Sequence, residues 1–112
     1  MLDDMTNLQS LLKDPSLLAT QGYLAGEWVD GEGGATFPVR NPARGDVVAN
    51  VADFTRAQTA DAIAKAEIAQ NSWAARTGKE RANILRRWYD LMMENADDLA
   101  TVLTAEQGKP LA

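Results

Sequence analysis

The segment from Thr77 to Pro110 has the most constrained pattern in the chain, because its residues indicate where helical structure begins, which side of it is apolar and where it ends. Thr77 and Glu80 have the spacing of a capping box, so a helix is predicted to begin at about Gly78. Five large apolar residues, here called the apolar stripe, recur every three or four positions after it: Ile84, Leu85, Trp88, Leu91 and Met92. That period predicts a surface helix with one buried side.

A second helix is predicted before this one. Thr55 and Gln58 repeat the capping spacing, and the run after them is rich in alanine, the strongest helix former. We therefore predict a long helix over residues 56–75, which should form a helical hairpin with the helix that follows it. Five residues share one side of it: Ala62, Ile63, Ala66, Ala69 and Trp73. The small alanines on that side would let the second helix approach closely, with Trp73 filling the far end.

A third helix is predicted after the apolar stripe. Asn95 and Asp98 again have the capping spacing, which indicates a helix over residues 96–106. Three of its apolar residues would point inward: Leu99, Val102 and Leu103. Gly108 provides the usual helix stop, and Pro110 suits the first turn of a further element. Because that element starts at the very end of the sequence, we expect an N-terminal fragment of a longer protein.

The first half of the chain predicts β-structure after a short helical arm. Three leucines spaced for one side of a short helix precede Pro15, which would end that helix: Leu8, Leu11 and Leu12. Residues 22–51 combine branched and aromatic residues with glycine and proline turns, which predicts a small antiparallel β-hairpin or meander. The fold class is α+β, mainly helical. The domain, residues 1–112 and incomplete, has three parts: an N-terminal arm (1–21), a β-hairpin region (22–51) and helices (55–107).

Composition excludes several classes of function. The formal net charge is -5 and the basic residues are dispersed among acids, so no nucleic-acid partner is expected. The chain contains no cysteine and no histidine, which removes a thiol nucleophile, a cysteine-ligated metal and the commonest general base. The acidic start is unlike a secretory signal and no window is long and apolar enough to span a bilayer, so we expect a cytoplasmic protein with no membrane partner.

Two polar groupings have simple structural explanations. The glycines of residues 31–34 lie between predicted strands, with no helix opening after them to bind a phosphate, so a structural loop is favoured. Metal binding is not favoured at the paired carboxylates Asp3–Asp4 and Asp97–Asp98, because neighbouring residues on a helix point in different directions. The second pair also fits the preference for acids in a first helical turn.

Two further groupings are also explained without a ligand. Core packing is favoured over a stacking surface for the aromatic residues Trp28, Trp73, Trp88 and Tyr89. The polar run at residues 106–110 could touch a ligand, but helix-stop chemistry accounts for most of it. We therefore assign no catalytic, cofactor-binding or metal-binding residue within this chain.

The order of motifs along the chain closely resembles the N-terminal region of NAD(P)-dependent aldehyde dehydrogenases. The motifs are GYLAGEWV at 22–29, FPVRNPARG at 37–45, KERANILRRW at 79–88 and TAEQGKPL at 104–111. Within that family, LMMEN at 91–95 and EQGKP at 106–110 are most similar to the succinate-semialdehyde dehydrogenases. The resemblance covers about residues 12–112.

The resemblance implies part of a Rossmann-like cofactor-binding domain in an enzyme that oxidises an aldehyde, here succinate semialdehyde, to a carboxylate. In that family a cysteine thiolate attacks the aldehyde, a hydride passes to NAD or NADP, and a glutamate-activated water hydrolyses the thioester. None of the family's catalytic or cofactor-binding residues matches a position in this chain. The resemblance thus implies that the fragment alone is inactive and binds no cofactor, and that the full-length enzyme is a homo-oligomer.

Two alternatives remain open: a free-standing helical interaction module and a truncated product without function. The enzyme hypothesis also carries a structural expectation. Detached from the sheet that it would cover, the apolar stripe should be partly exposed to water.

Overall fold

The computed structural model describes residues 8–111 of the chain. In that part, two antiparallel hairpins are followed by three α-helices. The strands are β1 (Gly22–Leu24), β2 (Glu27–Val29), β3 (Thr36–Arg40) and β4 (Val47–Ala52), and the helices are α1 (Arg56–Ala75), α2 (Gly78–Glu94) and α3 (Ala96–Gln107). The predicted α+β class is confirmed, and the three helices begin where the capping patterns placed them. Asp3 and Asp4 lie outside the described residues.

The first hairpin turns through two residues with positive φ. Ala25 has φ 50° and Gly26 has φ 83°, the left-handed pair that matches the twist of a two-residue hairpin. Tyr23 pairs with Trp28 across β1 and β2, and their rings meet edge to face with centroids 4.9 Å apart. Both rings are more than half exposed, so the hairpin presents its aromatic pair to solvent.

The second hairpin is longer and closes with a hydrogen-bonded turn. β3 and β4 pair from Thr36 opposite Ala52 to Arg40 opposite Val47, with a register shift next to Arg40. In the turn, the Asn41 side chain accepts the backbone amide of Ala43 at 2.9 Å, as asparagine commonly does in turns. The predicted antiparallel β-structure is therefore confirmed, in the form of two separate hairpins.

The start of α1 has the predicted capping box. The Thr55 hydroxyl accepts the backbone amide of Gln58 at 3.1 Å, and the Gln58 side chain accepts the backbone amide of Thr55 at 3.1 Å. Gln58 also reaches the loop before β3, where its carbonyl oxygen accepts the amide of Glu32 at 2.9 Å and its NH2 group donates to the carbonyl of Asp30 at 3.2 Å. One side chain thus caps the helix and ties it to the hairpins.

The cap of α2 is only half of the predicted box. Thr77 accepts the amide of Glu80 at 3.1 Å, as expected. The Glu80 carboxylate does not return to the backbone of Thr77, because it accepts the threonine hydroxyl at 3.1 Å and faces Arg76 at 3.8 Å. The predicted start of α2 is confirmed. The predicted return contact from Glu80 to the Thr77 backbone is wrong, because the Glu80 carboxylate is engaged by the Thr77 hydroxyl and lies near Arg76.

A small core joins the N-terminal arm to the second hairpin. The buried apolar side chains in the described part are Leu8, Leu12, Val48 and Ala49. Leu8, Val48 and Val102 line one cavity, which places the arm, β4 and α3 around a common space. Leu11, which the spacing places on the same side of the short helix as Leu8 and Leu12, is 64% exposed, while the other two are buried.

The helices do not complete a compact body. The radius of gyration is 16.7 Å, whereas a compact domain of this length has about 13 Å. The accessible surface is 8290 Å², against about 6,000 Å² for a compact monomer of this mass. The predicted close approach of a second helix to the alanine side of α1 is not observed, and Ile63 on that side is 65% exposed. Large surfaces of the helices are therefore unpaired.

Candidate functional site

The most distinctive surface of the molecule is the apolar stripe of α2. Its five side chains are between 40% and 61% exposed, with Trp88 the most exposed of them. The prediction that this side is buried is therefore wrong within this chain, because no described element packs over it. The expectation that the stripe would be partly exposed when detached from a covering sheet is confirmed.

The rest of α2 is charged, which sets the stripe apart. Arg86 lies 3.4 Å from Asp90 and its guanidinium stands 5.0 Å from the ring centroid of Tyr89. Arg87 lies 3.8 Å from Glu94. These exposed pairs add little stability, but they show which side of the helix is suited to water. The apolar stripe lies on a different side, as expected for a helix that packs against a partner surface.

The aromatic residues do not form one stacking surface. Trp28 pairs with Tyr23 on the first hairpin, Trp73 is half-buried near the end of α1, and Trp88 belongs to the stripe. Core packing is wrong for Trp28 and Trp88, which are both mostly exposed. Because the three tryptophans lie on three different elements, the interpretation as a binding surface for bases or sugars has no support.

A cleft of about 320 Å³ lies between the arm, the turn after β3 and α3. It is lined by Leu8, Leu11, Asn41, Arg44, Val48, Thr101, Thr104, Ala105 and Leu111. Its polar groups are already engaged, since Arg44 pairs with Asp46 at 2.9 Å and the Thr104 hydroxyl donates to the carbonyl of Lys109 at 2.6 Å. The cleft therefore offers an apolar lining without a free charged group for chemistry.

The start of α3 differs from the predicted cap. The Asn95 side chain does not accept an amide of the first turn, because its NH2 group donates back to the carbonyl of Leu91 at 2.9 Å. Asp98 instead turns away from its own helix. Its two carboxylate oxygens accept the backbone amides of Lys13 and Asp14, each at 2.9 Å.

Asp98 is a buried charge with partners on a distant segment. It is only 5% exposed, and the two backbone hydrogen bonds, with a smaller contribution from the charge of Lys13, hold the pKa of its carboxyl below the usual range despite its burial. Sequence reasoning missed this contact, since an acid in a first helical turn already had a local explanation. Only the position of the arm reveals it.

The remaining predicted groupings are structural. The glycines of the loop at 31–34 hold a tight turn with φ 67° at Gly33 and 77° at Gly34, and no helix opens after it. Gly108 ends α3 in the left-handed conformation with φ 85°, which confirms the predicted stop. Residues 8–111 contain no group of three or more acidic side chains placed to hold a metal ion. Over the same residues, no helix has the length and apolar character to cross a membrane.

The chain resembles known proteins over most of its length. A model of the aldehyde dehydrogenase family matches residues 28–112. The chain is 52% identical over 101 residues to a glutarate-semialdehyde dehydrogenase of Pseudomonas aeruginosa, a match that covers 90% of this chain and 21% of that protein. It is 48% identical over 101 residues to a succinate-semialdehyde dehydrogenase of Escherichia coli whose name specifies NADP(+), with the same coverage of 90% and 21%.

Solved structures agree with the sequence relatives. The crystal structure of succinate-semialdehyde dehydrogenase from Burkholderia pseudomallei superposes with a TM-score of 0.84 at 52% identity, covering 89% of this chain and 21% of that one. The chain thus spans about a fifth of the length of the proteins that it matches.

Proposed function

The chain belongs to the aldehyde dehydrogenase family, and from this premise we propose that it is the N-terminal layer of an NAD(P)-dependent aldehyde dehydrogenase. In this proposal the arm (1–21), the hairpins (22–51) and the helices (55–107) are parts of one incomplete domain that supports cofactor binding. The observation that carries the proposal is the exposed apolar stripe on a helix inside the matched segment. A surface of that kind fits a layer whose partner surface belongs to the other four fifths of such an enzyme.

The substrate proposed for the whole enzyme is succinate semialdehyde, which it would oxidise to succinate. Support comes from the names of the relatives, which specify the semialdehydes of succinate and glutarate. Both compounds carry an aldehyde at one end and a carboxylate at the other, so the substrate class is a short acid with a terminal aldehyde. The cofactor of the whole enzyme would be NAD or NADP, and a cytoplasmic homo-oligomer is the proposed working form.

The reactive groups of this chemistry would lie outside these 112 residues. Aldehyde oxidation through a thioester needs a thiol nucleophile, and the chain has no cysteine. The proposal therefore assigns the chain a scaffolding role, without catalytic or cofactor-binding residues of its own. The purified 112-residue chain should not reduce NAD or NADP in the presence of succinate semialdehyde. Turnover above that of a heat-denatured sample would overturn the proposal.

A chimera tests the scaffolding role directly. The matched segment of the Burkholderia pseudomallei enzyme is replaced by this chain, and the oxidation of succinate semialdehyde is followed by nicotinamide absorbance. We expect a folded, active enzyme, because about half of the replaced residues are identical. If the parent enzyme turns over and the chimera does not, the proposal is wrong.

Two neighbouring methionines provide a matched pair within the chimera. Met92 belongs to the stripe, whereas Met93 points away from it, and both are exposed in the isolated chain. If the stripe is covered in the whole enzyme, Met92→Ala should destabilise the chimera by about 2 kcal/mol or more, as at buried positions. Met93→Ala should change its stability by less than about 0.5 kcal/mol. Equal effects would argue against a covered stripe.

The same exposed stripe also fits the alternative of a free-standing helical interaction module. The chimera separates the two functions, because a module that evolved to bind other proteins need not complete a dehydrogenase. A folded but inactive chimera would therefore favour the module.

A further inference from the structure

Residues 8–14, here called the strap, link the small apolar core to helix α3. Residues 8–11 are helical, and two leucines of the strap, Leu8 and Leu12, are buried. At the far end, the backbone amides of Lys13 and Asp14 both donate hydrogen bonds to the carboxylate of Asp98 in α3. The strap is thus held by apolar packing at one end and by a single charged side chain at the other.

We propose that Asp98 is a latch that fastens the strap to α3 and keeps its leucines in the core beside Val48. This inference does not depend on the proposed dehydrogenase function. It concerns how the first described residues, which are about 85 positions away in sequence, are held against the third helix. Release of the latch would free the strap and uncover the buried part of β4.

The geometry suits a latch because these two amides donate to the Asp98 carboxylate and, within residues 8–111, to no backbone carbonyl. The helical turn of the strap ends with the amide of Leu12 bonded to the carbonyl of Gln9 at 3.2 Å, and Pro15, which has no amide, begins the next turn. Between them, the amides of Lys13 and Asp14 would be left without partners. Both bonds are partly shielded from water, so Asp98 supplies an acceptor there that the local backbone does not.

The charges around the latch favour the ionised carboxylate. Asp98 lies in the first turn of α3, where the helix dipole stabilises negative charge, and Lys13 places a cation nearby on the strap. Two other acids adjoin the groups of the latch: Asp14 on the strap and Asp97 on α3. Asp14 is engaged in capping the next turn, with its carboxylate accepting the Ser16 amide at 3.1 Å, and Asp97 precedes Asp98 on the same helix.

Amide hydrogen exchange tests the latch with a matched pair of variants. Asp98→Asn keeps the size of the side chain but replaces one accepting oxygen with an NH2 group. Exchange at the amides of Lys13 and Asp14 should then quicken roughly tenfold or more, since a charge-assisted bond is lost. Asp97→Asn makes the same chemical change one residue earlier, where no side-chain contact to the strap exists among the described residues, and should leave both amides unchanged. Equal exchange in wild type and Asp98→Asn would overturn the proposal.

The wild-type protein provides a second test in case Asp98→Asn does not fold. On acidification below the usual range of aspartate, protonation of Asp98 should remove the protection of the Lys13 and Asp14 amides. The amide of Ala52 is the internal control, because it donates to the backbone carbonyl of Thr20 at 2.8 Å, an acceptor that does not titrate. Loss of protection at the strap before Ala52 supports the latch. Simultaneous loss at all three amides would contradict it.

Discussion

The side chain of Gln58 accepts the backbone amide of Glu32 at 2.9 Å, which ties the first turn of α1 to the loop between the two hairpins. The same oxygen accepts the amide of Thr55, and the NH2 group of the side chain donates to the carbonyl of Asp30. The side chain that caps α1 thereby also fixes the position of this helix relative to the hairpins. This matters because few buried apolar side chains join these two parts of the described chain.

Gln58→Ala should lower the free energy of unfolding by about 2 kcal/mol, because the helix loses part of its cap and the loop loses two hydrogen bonds. Urea denaturation followed by circular dichroism measures the change. Gln70→Ala is the control, since Gln70 lies on the same helix with an exposed side chain and should change stability by less than about 0.5 kcal/mol. Equal effects of the two substitutions would show that the Gln58 contacts are not stabilising.

Gly108→Ala should destabilise the protein by about 1–2 kcal/mol, because Gly108 ends α3 with φ 85°. An added Cβ would also lie 3.1 Å from Cγ of Pro42 in the turn after β3. Gly78→Ala should instead stabilise by about 0.5–1 kcal/mol, since Gly78 is helical and an added Cβ meets no atom within 4 Å. Thermal unfolding of the pair gives the sign of each change, and a stabilising Gly108→Ala would refute the argument.

The local features of the fold could be predicted from the sequence because they depend on neighbouring residues. Helix starts at Thr55 and Thr77, the stop at Gly108 and the strands around the asparagine-proline turn all follow from contacts within a few positions. The apolar stripe was likewise evident from its period. These patterns predict elements and the surfaces that they present.

The predictions that failed concerned contacts with residues that are distant in sequence or outside the chain. The role of Asp98 required knowing that the strap lies against α3, and a local explanation for its charge concealed it. The burial of Trp88 and the approach of a second helix to the Ile63 side of α1 were predicted from spacing, but spacing shows only that a side is apolar and not what covers it. The predicted inward direction of Leu99 and Leu103 failed for the same reason, as both are partly exposed.

Ala25→Asn should stabilise the first hairpin by about 0.5 kcal/mol. Ala25 has φ 50°, and asparagine tolerates this left-handed conformation better than alanine does, so that Asn-Gly is the preferred pair in a two-residue hairpin turn. Ala35→Asn introduces the same side chain at φ -60°, where no such gain is expected. A rise in melting temperature for Ala35→Asn equal to that for Ala25→Asn would show that backbone conformation is not the cause.

The contribution of Asp98 to stability should depend on pH with a defined sign. Because its two amide partners lower the pKa of this carboxyl in the folded protein, the ionised form stabilises the fold at every pH above the ordinary aspartate value of about 3.9. That contribution is lost as the pH falls through the lower folded value. The difference in unfolding free energy between wild type and Asp98→Asn should therefore be largest near neutral pH and shrink below about pH 4. Urea denaturation across this range measures it, with Asp97→Asn as the control, and a difference that grows on acidification would mean that the folded carboxyl is not stabilised in its charged form.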